Sequence, residues 1–160
     1  MSIDVDQLRN IIIRPALSAI DLVSDSAMAL MLGTAAQESA MGTYLKQTNT
    51  DTGGWGIYQM QPATFQYVWD RYVGGSVIVK SKVQLYLGYT NRPAYQRLAT
   101  DLSLATIMAR LYYYSFATEL PLVADLNGLA NYWKLYWNTK LGAGTPQEFI
   151  ANYNKYVLKK

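Results

Sequence analysis

Glu38 is the residue around which chemistry could be organised. The chain has three glutamates, at positions 38, 119 and 148, and ordinary explanations cover two of them. Glu148 stands three residues after Thr145, with Pro146 between them, in the spacing of a helix-opening capping box. Glu119 precedes Pro121 at an expected helix end, where an exposed carboxylate is unremarkable. Glu38 instead follows the apolar run 27–36. On a helical wheel it lies about 20° from Met31 and Ala27 and about 40° from Thr34. A carboxyl at that place loses hydration and meets the partial negative charge of a helix C-terminus. Both effects raise its pKa and suit it to act as a general acid. On position alone, an equally good reading is that Glu38 marks where the helix surfaces.

Composition narrows the alternatives. The 160 residues include no Cys and no His. That excludes disulfides, thiolate nucleophiles, Cys/His zinc sites and imidazole bases. Acid–base chemistry falls to carboxylates, Lys or Tyr. The few carboxylates do not cluster, so neither a metal nor a cofactor is expected. The net charge is +3 and the pI about 9.0, with basic residues scattered except at Lys155, Lys159 and Lys160. This footprint is too weak for nucleic acid but suits approach to an anionic cell envelope. The apolar run 27–36 is about half of what a bilayer span needs, so no membrane span is expected. The N-terminal MSIDVDQLRN carries acidic residues where a secretory signal would be basic, and no signal peptide is read there.

The elements that must position Glu38 read as one mainly α-helical domain over residues 1–160, with at most a small β-hairpin. Asp4 and Gln7 resemble a capping box before an apolar helix that Pro15 kinks or restarts. Ser24 and Asp25 open a second helix, apolar on every side and therefore buried. TNTDTGGWG, residues 48–56, is loop chemistry. Pro62 opens a short helix. Residues 77–87 are β-branched and partly alternating between glycines, and fit either a hairpin or a poor helix. Asp101 caps a helix carrying Leu104, Ile107, Met108 and Leu111 that ends before Pro121. Another helix runs from about Leu126 to Trp137. A last one starts at Thr145 and continues to about Val157.

The string AAQESAMGTY, followed after a Gly-rich loop by GGWGIYQMQPATF, resembles the soluble (SLT-type) lytic transglycosylases, which are related to goose-type lysozymes. Their pattern joins a helix-ending Glu-Ser to a segment close to G-(I/L)-(Y/M)-Q-M-x-P-x-T. Glu38, Ser39, Gly56, Ile57, Tyr58, Gln59, Met60, Pro62 and Thr64 match it in order, within a tight span of about residues 29–69. The overall layout, including LANYWKLYWNTKLGAGT, looks more particularly like lysozyme-like proteins of tailed bacteriophages.

The resemblance implies a lysozyme-like fold and cleavage of the β-1,4 bond between N-acetylmuramic acid and N-acetylglucosamine in peptidoglycan. It implies Glu38 as acid and then base, Ser39 as an orienting or sugar-binding residue, and a cleft lined by Gln59 and the backbone around Tyr58 and Met60. The family's C-terminal Tyr-Asn is matched imperfectly. Tyr132 is followed by Trp133 and Asn138 is preceded by Trp137; Tyr132 is favoured as the hydroxyl near Glu38. Asp51, in the Gly-rich loop, is the candidate second carboxylate, with an Asx-turn as its plainer reading. Trp55, Tyr58, Trp133 and Trp137 are the aromatic residues best placed to stack on sugars. Gly53, Gly54 and Gly56 suggest close backbone approach to a ligand. The implied setting is a virion, with glycan strands as substrate and other tail or baseplate proteins as partners. The rival reading is a virion or baseplate structural protein that keeps the fold with little or no activity, and chitin or chitosan is an alternative substrate.

Overall fold

The computed structural model describes residues 1–47 and 53–160, and these are mainly α-helical with no sheet among them. Most helices begin where a side chain satisfies N–H groups that the helix itself leaves unpaired. Asp4 accepts from the backbone N–H of Asp6 at 3.0 Å and of Gln7 at 3.1 Å, opening α1. This helix runs through Val5–Gln7, a wider π-type stretch Leu8–Ile13, and Arg14–Ala19. Pro15, which has no N–H to give to the helix ladder, falls where the π-type stretch returns to α-helix.

Ser24 caps α2, Asp25–Ser39, by accepting from Ala27 N–H at 3.0 Å. Helix α3, Pro62–Val68, starts at its proline and widens into Trp69–Val73. Helix α4 is Val77–Leu87, and a 3-10 turn covers Tyr95–Ala99. Asp101 caps α5, Leu102–Tyr114, through Leu104 N–H at 2.8 Å. Asp125 caps α6, Leu126–Trp133, which continues as the π-type turn Lys134–Asn138. A reciprocal capping box of Thr145 and Glu148 opens α7, Pro146–Asn152, which widens into Tyr153–Val157.

Helix α4 decides the segment that fitted either a hairpin or a helix. Val77, Ile78 and Val79 favour strand locally, but Ser76 caps the start through Val79 N–H and Gly88 ends the helix in the left-handed region at φ 81°. Val83 is fully buried, and Val79 and Leu87, four residues to either side, are half-buried, so one helical face reaches the core. Among the described residues, extended pairing is confined to two isolated bridges, Lys46 with Trp55 and Trp55 with Met60.

Helix α2 is the centre of the packing. Residues 27–36 are all buried, and α2 packs against α1, α5, α6 and α7. Gly33 lets α7 approach, because a Cβ there would collide with the ring of Phe149. Phe149 in turn lies 5.5 Å from Trp133, ring centre to ring centre, at 32°. The smallest residue of the central helix thus admits an aromatic pair that brings Trp133 from α6 toward the C-terminal turn of α2.

Candidate functional site

Helix α2 ends abruptly. Ala40 and Met41 adopt left-handed backbone, φ 49° and 56°, and Gly42 follows at φ 80°. Ala40 N–H returns to the Ala36 carbonyl at 3.2 Å, and Met41 N–H to that of Ala35 at 3.1 Å. Two successive non-glycine residues in this region cost about 1 kcal/mol each, so the surrounding packing must impose the turn. Ser39 helps to do so. Its hydroxyl donates to the Ala35 carbonyl at 3.0 Å and accepts from Gly42 N–H at 2.9 Å. The expected orienting or sugar-binding role of Ser39 is thereby corrected: the side chain is buried and engaged in closing the helix.

Glu38, one residue earlier, points to a cleft of about 650 Å³. Its carboxylate Oε1 accepts from the indole N–H of Trp133 at 2.9 Å. Burial pushes the Glu38 pKa up to about 7, and the Trp133 hydrogen bond, which favours the ionised form, opposes that rise. Glu38 is the only carboxylate among the described residues that line the cleft. Around it stand the amides of Gln37, Gln47, Gln59, Gln61 and Asn138, and the rings of Tyr112, Trp133 and Trp137. A proton donor inside a wall of amides and aromatic faces can serve a polyhydroxylated, amide-bearing ligand.

Two local structures hold the cleft walls. On one side, Gln59 occupies φ 50°, its side-chain amide donates to the Gly56 carbonyl at 2.8 Å, and Met60 pairs with Trp55 through both backbone groups. A Cβ at Gly54 would strike the Gln59 carbonyl, and one at Gly56, φ 77°, the Leu98 carbonyl. These two glycines answer to the close approach of the protein's own backbone, which corrects the expectation that they accommodate a ligand. On the other side, Lys134 donates to Asn138 Oδ1 at 2.6 Å and to the Gly142 carbonyl at 2.8 Å, pinning residues 138–144. Gln37 is fixed from α7 by Asn152, at 2.7 Å.

Gln59, Met60, Trp133 and Trp137 line the cleft, as does Thr64. Other positions differ from expectation. Tyr58 is fully buried, with its hydroxyl 2.9 Å from the Thr106 hydroxyl, and it belongs to the core. Trp55 does not line the cleft; its ring packs edge-on to Tyr95 at 5.6 Å, with Lys46 5.2 Å from its centre. Tyr132 does not place its hydroxyl beside Glu38. That hydroxyl donates to the Thr118 carbonyl at 3.1 Å and faces a second cavity. Its neighbour Trp133 supplies the donor instead. Asp51 lies outside the described residues.

The Trp133–Glu38 bond joins residues far apart in the chain, and no local spacing announces it. The nearest signal was a tryptophan in an apolar helix, since a buried indole N–H requires an acceptor. No protein-family model, curated protein or solved structure matches the chain.

Proposed function

We propose that the protein is a glycan-cleaving enzyme acting on peptidoglycan, with Glu38 as its general acid. The observation that carries this reading is the Glu38 carboxyl: half-buried, pushed up to about pKa 7, held at one oxygen by Trp133 and bordering an amide- and aromatic-lined cleft. At neutral pH a large fraction of Glu38 retains its proton, as proton transfer to a glycosidic oxygen requires. The aglycone leaves through an oxocarbenium-like state, and the resulting carboxylate then serves as base. If it takes a proton from the muramoyl 6-hydroxyl, the product is a 1,6-anhydro sugar and no second carboxylate is needed. If it activates water, the product has a reducing end, and Asp51 is the candidate to assist. The resemblance of residues 29–69 to soluble lytic transglycosylases supports this substrate class, and the overall layout supports a virion-associated role. No helix among the described residues is long and apolar enough to cross a membrane.

The test is to incubate the wild-type protein and Glu38→Gln with purified peptidoglycan and to identify soluble muropeptides by mass spectrometry. Anhydro-muropeptides from the wild type alone are the result expected of a transglycosylase, and reducing muramic ends that of a lysozyme. Chitin oligomers released in place of muropeptides would change the substrate. Release of neither would make the domain a structural or binding component of a virion.

A further inference from the structure

We propose that the cavity at the C-terminal end of α5 binds the carboxylate of a small monoanionic ligand, with Arg110 as its anchoring cation. This cavity, of about 500 Å³, shares no lining residue with the Glu38 cleft, and the inference does not rest on the reading of that cleft.

Arg110 is the only basic residue among the described residues of the lining and is 8% exposed. Its Nε donates to the Leu22 carbonyl at 3.3 Å, and its guanidinium carbon lies 6.0 Å from the centre of the Tyr114 ring. The ion pairs among the described residues use Arg9, Lys82, Arg92 and Lys159, and none involves Arg110. Its terminal nitrogens have no hydrogen-bond acceptor among the described residues, yet no side-chain nitrogen or oxygen there is both sealed from solvent and unpartnered. Arg110 therefore brings two spare, solvent-reachable donor groups to the cavity wall. Burial pulls its pKa down, but a guanidinium remains charged across the physiological range. A nearly buried cation without a counter-anion is an unfavourable arrangement that a bound anion relieves.

The rest of the wall defines the ligand. A guanidinium edge presents parallel N–H groups that match a planar carboxylate in a two-point contact. A phosphate dianion calls for more positive charge than this single cation, and the exposed Glu119 on the same wall disfavours extra negative charge. Four hydroxyls of the wall are engaged, that of Tyr113 with Thr34. Ser115 donates to the Tyr112 carbonyl at 2.6 Å, Tyr132 donates to the Thr118 carbonyl, and Thr118 pairs with Tyr136. Charge recognition falls to Arg110, the cation of the wall, and tyrosine rings remain for an apolar or aromatic body.

Benzoate is the probe, read by NMR shifts of the Arg110 Nε–H and the backbone amides of residues 113–119 in the full chain. The expected result is saturable binding with a Kd on the order of 1 mM, with benzamide and inorganic phosphate at least about tenfold weaker. Arg110→Gln abolishes the benzoate response, whereas Glu38→Gln retains it. Should Arg110→Gln fail to fold, Arg110→Lys keeps the charge without the planar fork and weakens benzoate by about tenfold. Benzamide or phosphate binding as tightly as benzoate would overturn the proposal. So would full benzoate binding by either Arg110 variant, its loss in Glu38→Gln, or no saturable shift up to about 20 mM.

Discussion

Glu38 and Arg110 are the same problem met twice: an ionisable side chain withdrawn from full hydration, with one hydrogen bond and no ion pair among the described residues. Glu38 accepts from Trp133 beside the larger cleft, and Arg110 donates to the Leu22 carbonyl beside the smaller cavity. The fold leaves each unpaired, and the chemistry of the two groups separates the consequences. A carboxyl escapes the cost of burial by holding a proton, which is what a general acid needs. A guanidinium has no such escape at ordinary pH and can be relieved only by an anion from outside. One site is thereby suited to proton transfer and the other to binding.

The largest expected effect tests the first half of this contrast. Glu38→Gln keeps the shape and the acceptor for Trp133 but has no acidic proton. Activity on peptidoglycan should fall at least about a hundredfold while the circular dichroism spectrum is retained. In the wild type, activity should decline as pH rises through about 7, because the protonated form of Glu38 is lost there. A rate that instead climbs through that range would remove Glu38 as the acid.

Stability sharpens the contrast next. The Glu38 pKa is raised from 4.5 to about 7, so its contribution to stability is fully present below pH 4.5 and is lost as pH rises through 7. Glu38→Gln does not titrate and should gain on the wild type over that window, by up to about 3 kcal/mol above pH 7. Arg110→Met should alter stability by an amount that stays constant between pH 4.5 and 9, since a guanidinium does not titrate there. Chemical denaturation of the three proteins across pH checks both statements. A pH-independent difference for Glu38→Gln would mean that the carboxyl is not desolvated.

Trp133→Phe probes the hydrogen bond itself. The indole N–H favours the ionised carboxylate, so its removal should move the alkaline limb of the pH–activity profile upward. Phe keeps most of the packing on Phe149, and the cost in stability should be about 1–3 kcal/mol. A purely structural Trp133 would lower stability and leave the limb in place.

These two buried groups also show what the sequence could disclose. Glu38 was legible because a helical wheel carries a carboxyl onto the face of an apolar helix, and Ser24, Asp101 and Thr145 cap helices as their local patterns indicate. Residues 77–87 were ambiguous because their β-branched residues favour strand, whereas Ser76, Gly88 and burial of one face favour helix. Partners distant in sequence were not legible. Tyr58 belongs to a motif that resembles a cleft, but Thr106 on α5 claims its hydroxyl. Tyr132, expected as the hydroxyl near Glu38, stands one residue, about 100° on a helix, from Trp133, and that step places it at the second cavity while Trp133 faces the cleft. The role of Arg110 is not legible either, because an arginine within an apolar helix has no local pattern that reveals whether a carboxylate awaits it.

Ser39 gives the smallest and most discriminating effect. A residue next to the acid in sequence is a natural candidate to orient it, yet both hydrogen bonds of Ser39 run to backbone, at Ala35 and Gly42. Ser39→Ala should therefore leave Gly42 N–H without its acceptor and cost about 1 kcal/mol of stability at every pH. The titration midpoint of Glu38, followed by carboxyl carbon NMR, should stay near 7, since Trp133 remains the side chain that bonds it. A midpoint displaced in Ser39→Ala would show that the turn closing α2 also sets the acidity of Glu38, and the contrast between a self-neutralising acid and a passive scaffold would have to include that turn.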